Sequence, residues 1–290
     1  MAPAISWLSF SRAFSSLKAR RLRWKARKMN YDISSILEEW PFDPDDINAR
    51  RIRTKEGVEK VQIRIDMGIL QLEVEGRPDG KKPHGFSSLL DHYLFLLEEK
   101  PETELVLDED ACEDLFQEAW QYYHRYLSLF HLEDFKGVVE DTEHNLEIFV
   151  LVQDYASSDE ARWYFEQYFP HAVMMQARAK AMTALDAENY PEALQAIKAG
   201  IAEIESFLEA WEGESLDEDF PELAFLREWH DELEKERPLS KEEEIERDLQ
   251  IAVEAENFEE AARLRDKLKN MGLGNFPPHS PFEGKGRRSL

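Results

Sequence analysis

The residues best equipped for chemistry gather in one loop, Gly76-Arg77-Pro78-Asp79-Gly80-Lys81-Lys82-Pro83-His84-Gly85. Its three glycines and two prolines shape the backbone, and Arg77, Lys81, Lys82 and His84 are four groups able to carry positive charge. Together they could build an anion-binding site, for a peptide carboxylate among other ligands. The same composition also suits a rigid connector between a strand and a helix, kept soluble by its charges. Loops carry function disproportionately, but this spacing matches no phosphate loop.

Other candidates for chemistry are weaker. Eight histidines are scattered along the chain, and none forms His-Glu-x-x-His or a paired Glu-x-x-His metal motif. Gly272-Leu273-Gly274 lacks the third glycine and the preceding strand of a dinucleotide loop. There is no Walker lysine and no Gly-x-Ser-x-Gly elbow. Asp91-His92 and His230-Asp231 are acid–histidine neighbours, but each lies in a helical pattern, where adjacent residues point apart. Cys112 stands among Asp108, Glu109, Asp110, Glu113 and Asp114, whose negative field raises a thiol pKa and makes a poor nucleophile. The expectation is therefore a chain that is not an enzyme, with no catalytic, metal or cofactor residues.

Composition and charge narrow the class further. Hydrophobic residues are 42% and aromatics 11% of the 290, a globular composition with enough apolar material for a sizeable core. The single cysteine excludes an internal disulfide and fits a reducing, cytoplasmic setting, and no apolar run approaches the roughly 20 residues that span a bilayer. Residues 1–29 hold eight of the 36 Lys and Arg and no acid, so the remaining 28 face 61 Asp and Glu, a net −33. So acidic a body repels phosphate backbones, which argues against direct nucleic-acid binding. The basic leader has no smooth apolar centre or small-residue cleavage site, so it makes a poor secretory signal. Since Met29 directly precedes the first patterned segment, residues 1–29 read as a start assigned too far upstream, with a functional basic arm or targeting peptide as the alternative. They and the tail, 273–290, are expected to be disordered.

The elements that must position these residues divide into a small α+β unit over 30–100 and helical hairpins over 101–236. Tyr31–Leu37 suggests a short helix, ended by Trp40-Pro41-Phe42-Asp43-Pro44. Val61, Ile63 and Ile65 alternate with Gln62 and Arg64, and Leu70, Leu72 and Val74 with Gln71 and Glu73, the period of half-buried strands. With Ala49–Arg53 they predict a three-stranded antiparallel meander, turned at Thr54–Gly57, where Gly57 supplies positive φ, and at Asp66-Met67-Gly68. Its apolar face needs helices to cover it. Asp114–Phe130, the stretch after Phe135, Asp159–Phe169 (stopped by Pro170), Ala172–Leu185 and Pro191–Leu208 read as helices. The last two, with small Ala177, Ala181 and Ala184 and then Tyr190, Ala193, Ile197 and Gly200, are similar to a tetratricopeptide hairpin.

One layout occurs three times. Leu132-Glu-Asp-Phe135, Ala187-Glu-Asn-Tyr190 and Ala255-Glu-Asn-Phe258 each place an acidic turn before an aromatic, with an apolar residue three positions on. The reading is an aromatic wedged between two antiparallel helices at their junction.

The third copy lies inside a distinctive segment, 240–272. Ser240 and Glu243 form a capping-box pattern, and Leu249, Val253, Leu264 and Leu268 recur at helical spacing for a buried face, with Phe258 closing the open end of the hairpin. Phe258-Glu-Glu-Ala261-Ala262 followed by Arg265-Asp266 resembles the UVR motif, the helical hairpin of the B and C subunits of bacterial excision repair, although Val253 and Ala255 depart from its commonest pattern. With the meander ahead of it, the chain also resembles an uncharacterised bacterial group of UVR-containing proteins, a likeness that brings no activity with it. The motif implies a contact with another protein or a second copy, through Phe258, Ala261, Ala262, Leu264, Arg265 and Leu268. It implies either an excision-repair association or an adaptor like the activators of protein-arginine kinases, whose zinc-binding cysteines are missing here. A terminal hairpin packed on its own chain is the plainer alternative. The resulting expectation is a mainly α chain with a small meander, acting as an interaction adaptor, with a ligand-binding or enzymatic role for the Arg77–Gly85 loop as the rival.

Overall fold

The computed structural model describes residues 32–99, 105–210 and 220–270. The expected disorder of 1–29 and 273–290 lies outside them. The chain is mostly helical with one three-stranded antiparallel sheet. After the short α1 (Ser34–Glu39) come β1 (Ala49–Arg53), β2 (Glu59–Ile65) and β3 (Gly68–Glu73), joined as a meander in the order β1-β2-β3. A single 3-10 turn at Pro83–Gly85 leads into α2 (Leu89–Glu99). The helices α3 (Glu109–His131), α4 (Phe135–Tyr155), α5 (Asp159–Glu166), α6 (Phe169–Asp186), α7 (Tyr190–Ala210) and α8 (Pro221–Glu236) follow, and α9 (Lys241–Glu254) and α10 (Phe258–Asn270) end the described chain.

The sheet is built as its alternation predicts, with one departure. Val61 sits opposite Leu72 and Ile63 opposite Leu70, and Gly57 takes the left-handed φ of +86° that its turn requires. Val61, Ile63 and Leu72 are buried against Tyr126 and Leu129 of α3, Phe135 and Val138 of α4, and Met175 and Ala179 of α6. Ile65, expected inside, is instead exposed, whereas Arg64, expected on the polar face, is buried. The cause is local: Arg64 gathers the carbonyls of Trp40, Ile65, Asp66 and Gly68 at the end of the β2–β3 hairpin, and four acceptors compensate its desolvation.

Two further cores lie among the helices. Leu89 and Leu90 of α2 join Leu115, Ile148, Val152 and Phe165, so packing continues across residue 100, where the sequence changes character. Around α6–α8, Ala177, Ala181, Ala193, Ile197 and Leu226 form the other. Here the small residues are needed: a Cβ on Gly200 would stand 2.6 Å from the Cβ of Ala177, inside van der Waals contact. Pro170 does not stop a helix as its position suggested. Helix α5 ends at Glu166, and Pro170 lies in the first turn of α6, where its missing N–H has no intrahelical acceptor to lose.

The three repeated turns share one geometry. Glu133, Glu188 and Glu256 adopt left-handed φ of 59°, 56° and 57°. Each next residue (Asp134, Asn189 or Asn257) sends its N–H back to the carbonyl five residues earlier, at 2.9, 2.8 and 2.8 Å. Its side chain then accepts from the N–H three residues on, capping the helix that the aromatic opens. Phe135 is buried and Tyr190 half-buried, as wedges should be.

Candidate functional site

The C-terminal hairpin is assembled from its own residues. Ser240 accepts from Glu243 N at 3.1 Å while the Glu243 carboxylate accepts from Ser240 N at 2.8 Å, the expected capping box. Arg237, the last residue before the linker, donates two hydrogen bonds to the same carboxylate at 2.7 and 2.5 Å. The bonds from Arg237, then that from Ser240 N, pull the Glu243 carboxyl down to about 2. The junction is thus held by one shared carboxylate at a helix N-terminus, where negative charge is favoured.

The seam between α9 and α10 is narrow. Ile245, Ala252, Ala261, Leu264 and Leu268 are buried together, with Leu249 partly so, and α9 and α10 pack chiefly on each other. Of the residues expected to meet a partner, Ala261, Leu264 and Leu268 therefore close the hairpin itself, while Ala262 is half-buried and Arg265 is exposed beside Asp266 at 2.9 Å. Two expectations are corrected. Phe258 does not seal the open end, since 53% of its surface is exposed, and Val253 is 47% exposed and no part of the buried face. A seam between only two helices buries a thin stripe of each, too thin to reach them.

Sequence reasoning also passed over Ile251, which is 56% exposed. At about 100° per residue it and Val253 flank buried Ala252 on opposite sides of α9. The signal was present: an apolar residue off the Ile245–Leu249–Ala252 register has no internal use.

The Gly76–Gly85 loop is arranged differently. Arg77 is buried, 3.2 Å from Asp79 and 3.5 Å from Glu118, so the chain's own carboxylates compensate its charge. Lys81, largely exposed, lies 3.4 Å from Asp79, and Lys82 is exposed. His84, at φ 50°, stacks on His92 with ring centroids 4.2 Å apart. The four cations do not converge: Arg77 points inward and the other three lie at the surface. Glu118 is fully buried and also accepts from Leu89 N, Leu90 N and His144 Nε2, so it caps α2. Beside it Arg125 pairs with Asp141 through bonds of 2.8 and 2.6 Å and donates to the carbonyls of Glu73 and Gly76. These bonds fasten the loop to α3 and α4, as a connector requires.

Cys112 is buried, and burial, reinforced by Asp108, pushes its thiol up. Among the described residues no helix is long and apolar enough to cross a membrane.

Fold and site together define a helical body with a small sheet, followed by a helical-hairpin module that is packed chiefly on itself. Residues 243–272 match the family model of the UvrB/uvrC motif, so the chain carries a UVR motif at the position of this hairpin. No curated protein and no solved structure matches the chain significantly.

Proposed function

We propose that this protein is a non-enzymatic adaptor whose C-terminal hairpin docks an apolar helical surface, in the simplest case the same hairpin of a second copy. The carrying observation is the exposure of Ile251, Val253 and Phe258 on a module whose internal seam is already filled. Large side chains at such density on so small an element suit an interface better than a solvated face. Charge supports pairing with a second copy: α9 carries Glu242, Glu243, Glu244, Glu246, Asp248 and Glu254 against Lys241 and Arg247, whereas α10 carries Arg263, Arg265, Lys267 and Lys269 against three acids. Setting α9 of one hairpin on α10 of the other would match these fields and orient the contact.

Sedimentation equilibrium of the full chain tests this, with Ile251→Glu/Val253→Glu as the variant. Wild type should self-associate and the variant should be monomeric with an unchanged thermal midpoint. Self-association that survives the double substitution, which charges both exposed flanks of α9, would refute the proposed contact. A monomeric wild type would move the same comparison to capture of a different protein.

A further inference from the structure

A second surface stands apart from the hairpin. A groove of about 760 Å³ runs between the C-terminal half of α4, α5, the start of α6 and the end of α7. Its floor is Phe149 with Phe169 and Phe207, whose rings stack at 4.5 Å, and its walls include Val150 and Trp163, respectively 55% and 53% exposed. Neither wall residue is needed by the core beneath, which is closed by Ile148, Val152 and Phe165.

The rim is acidic. Asp159 and Glu166 line the groove, and exposed Glu147, Asp154, Glu160 and Glu203 lie three or four residues from Val150, Trp163 or Phe207, hence on the same helix faces. Among the described residues the one lining cation, Arg162, is already engaged: it pairs with Asp159 at 2.5 Å and donates to the carbonyls of Gln153 and Ala156. An apolar trough ringed by carboxylates repels phosphate, nucleic acid and anionic membrane alike, and attracts an apolar element that brings its own positive charge.

We infer that this groove is a second docking site, for a basic amphipathic peptide segment of another protein. Apolar side chains at helical spacing would enter between Val150, Trp163 and Phe207, while Lys or Arg on the flanks would meet the rim. The chain would then present two surfaces of different chemistry, a self-complementary hairpin and a cation-selective groove, as an adaptor that joins two proteins would.

The test uses the full chain and a fluorescent designed peptide with leucine at i, i+3, i+4 and i+7 and lysine elsewhere. A peptide of the same composition, shuffled to destroy the apolar face, is the control. The patterned peptide should bind about tenfold or more tighter than the shuffled one, a difference well within what a few buried side chains provide. Val150→Ala/Trp163→Ala should remove that advantage. Glu147→Lys/Glu203→Lys, which leaves the apolar wall intact, should weaken binding and flatten its dependence on salt. The hairpin variant Ile251→Glu/Val253→Glu should bind the peptide as wild type does. Equal binding of both peptides, or binding unaltered by the wall and rim substitutions, would reduce the effect to diffuse attraction by an acidic chain and overturn the site. Loss in the hairpin variant would place the peptide on the other surface and overturn it equally.

Discussion

Helices α3 and α4 turn on Glu133-Asp134-Phe135, and α9 and α10 turn on Glu256-Asn257-Phe258, with the same left-handed residue, the same backbone bond and the same side-chain cap. The aromatic opening the second helix nevertheless meets opposite fates: Phe135 is 7% exposed and Phe258 is 53% exposed. Phe135 is buried by what surrounds its hairpin, the sheet residues Val61 and Leu72 and α6 residues Met175 and Ala179. Among the described residues, the core around α9 and α10 contains only residues of those two helices. A turn motif therefore fixes the path of the backbone, while neighbours from the rest of the fold decide whether its aromatic becomes core or surface.

The strongest way to break this comparison is to truncate both aromatics. Phe135→Ala should cost about 3–5 kcal/mol, the range for an aromatic removed from a closed core. Phe258→Ala should cost about 1 kcal/mol or less, because much of its surface is already in water. Denaturant midpoints of the two single variants measure the difference. Equal losses would mean that Phe258 is as structural as Phe135 and would sink the reading of it as a contact residue.

The contrast also explains which features were legible in the sequence. Strand alternation, the Gly57 turn, the Ser240–Glu243 box and the three hairpin turns depend on residues within a few positions of one another, and each was readable. Arg64, Pro170 and Phe258 were misjudged because distant or backbone partners decide them. Four carbonyls bury Arg64, the end of α5 frees Pro170 to start α6, and more than half of Phe258 is left at the surface. The fate of Arg77 was likewise fixed by Glu118, 41 positions away, so the loop's cations could be counted but not placed. The groove at Trp163 draws on four helices, and no local pattern announces it.

Body and hairpin should also part company in their response to acid. Within the body, burial and then Arg178 pull the His171 imidazole down to about 4, with its Nδ1 3.1 Å from the Tyr126 hydroxyl. Between about 6.5 and 4 the unfolded chain takes up a proton there that the folded chain refuses, so stability falls as pH drops through that window and levels off below it. The loss is on the order of 3 kcal/mol. Burial lowers His124 as well, so His171→Gln should shrink the slope of thermal midpoint against pH over that window without abolishing it. Glu243 acts lower. Its folded value of about 2 lies below its unfolded one near 4.5, so its contribution is present above 4.5 and is lost between 4.5 and 2. Amide exchange in α9 should respond in that lower window, and His171→Gln should leave that response alone. An unchanged midpoint slope in His171→Gln would remove the histidine from the account.

The smallest effect sharpens the comparison most, because it tests whether the hairpin folds as a unit of its own. Ser240→Ala removes the acceptor for Glu243 N while leaving Arg237 paired with Glu243, a change worth about 1 kcal/mol at a helix N-terminus. Nothing in the cores formed by α2–α8 and the sheet depends on that bond, since those cores close on their own residues. Faster amide exchange should therefore be confined to α9 and α10, by roughly fivefold for that energy, with α3–α8 exchanging as in wild type. The coupling of α9 to α10 through Ile245, Ala252, Ala261, Leu264 and Leu268 requires both helices to respond together. A change confined to the first turn of α9 would mean that the cap frays without unfolding the module, and a change spreading into α8 would mean that the hairpin belongs to the body. Only the joint response of α9 and α10, without α8, is what an adaptor hairpin poised to meet a partner should give.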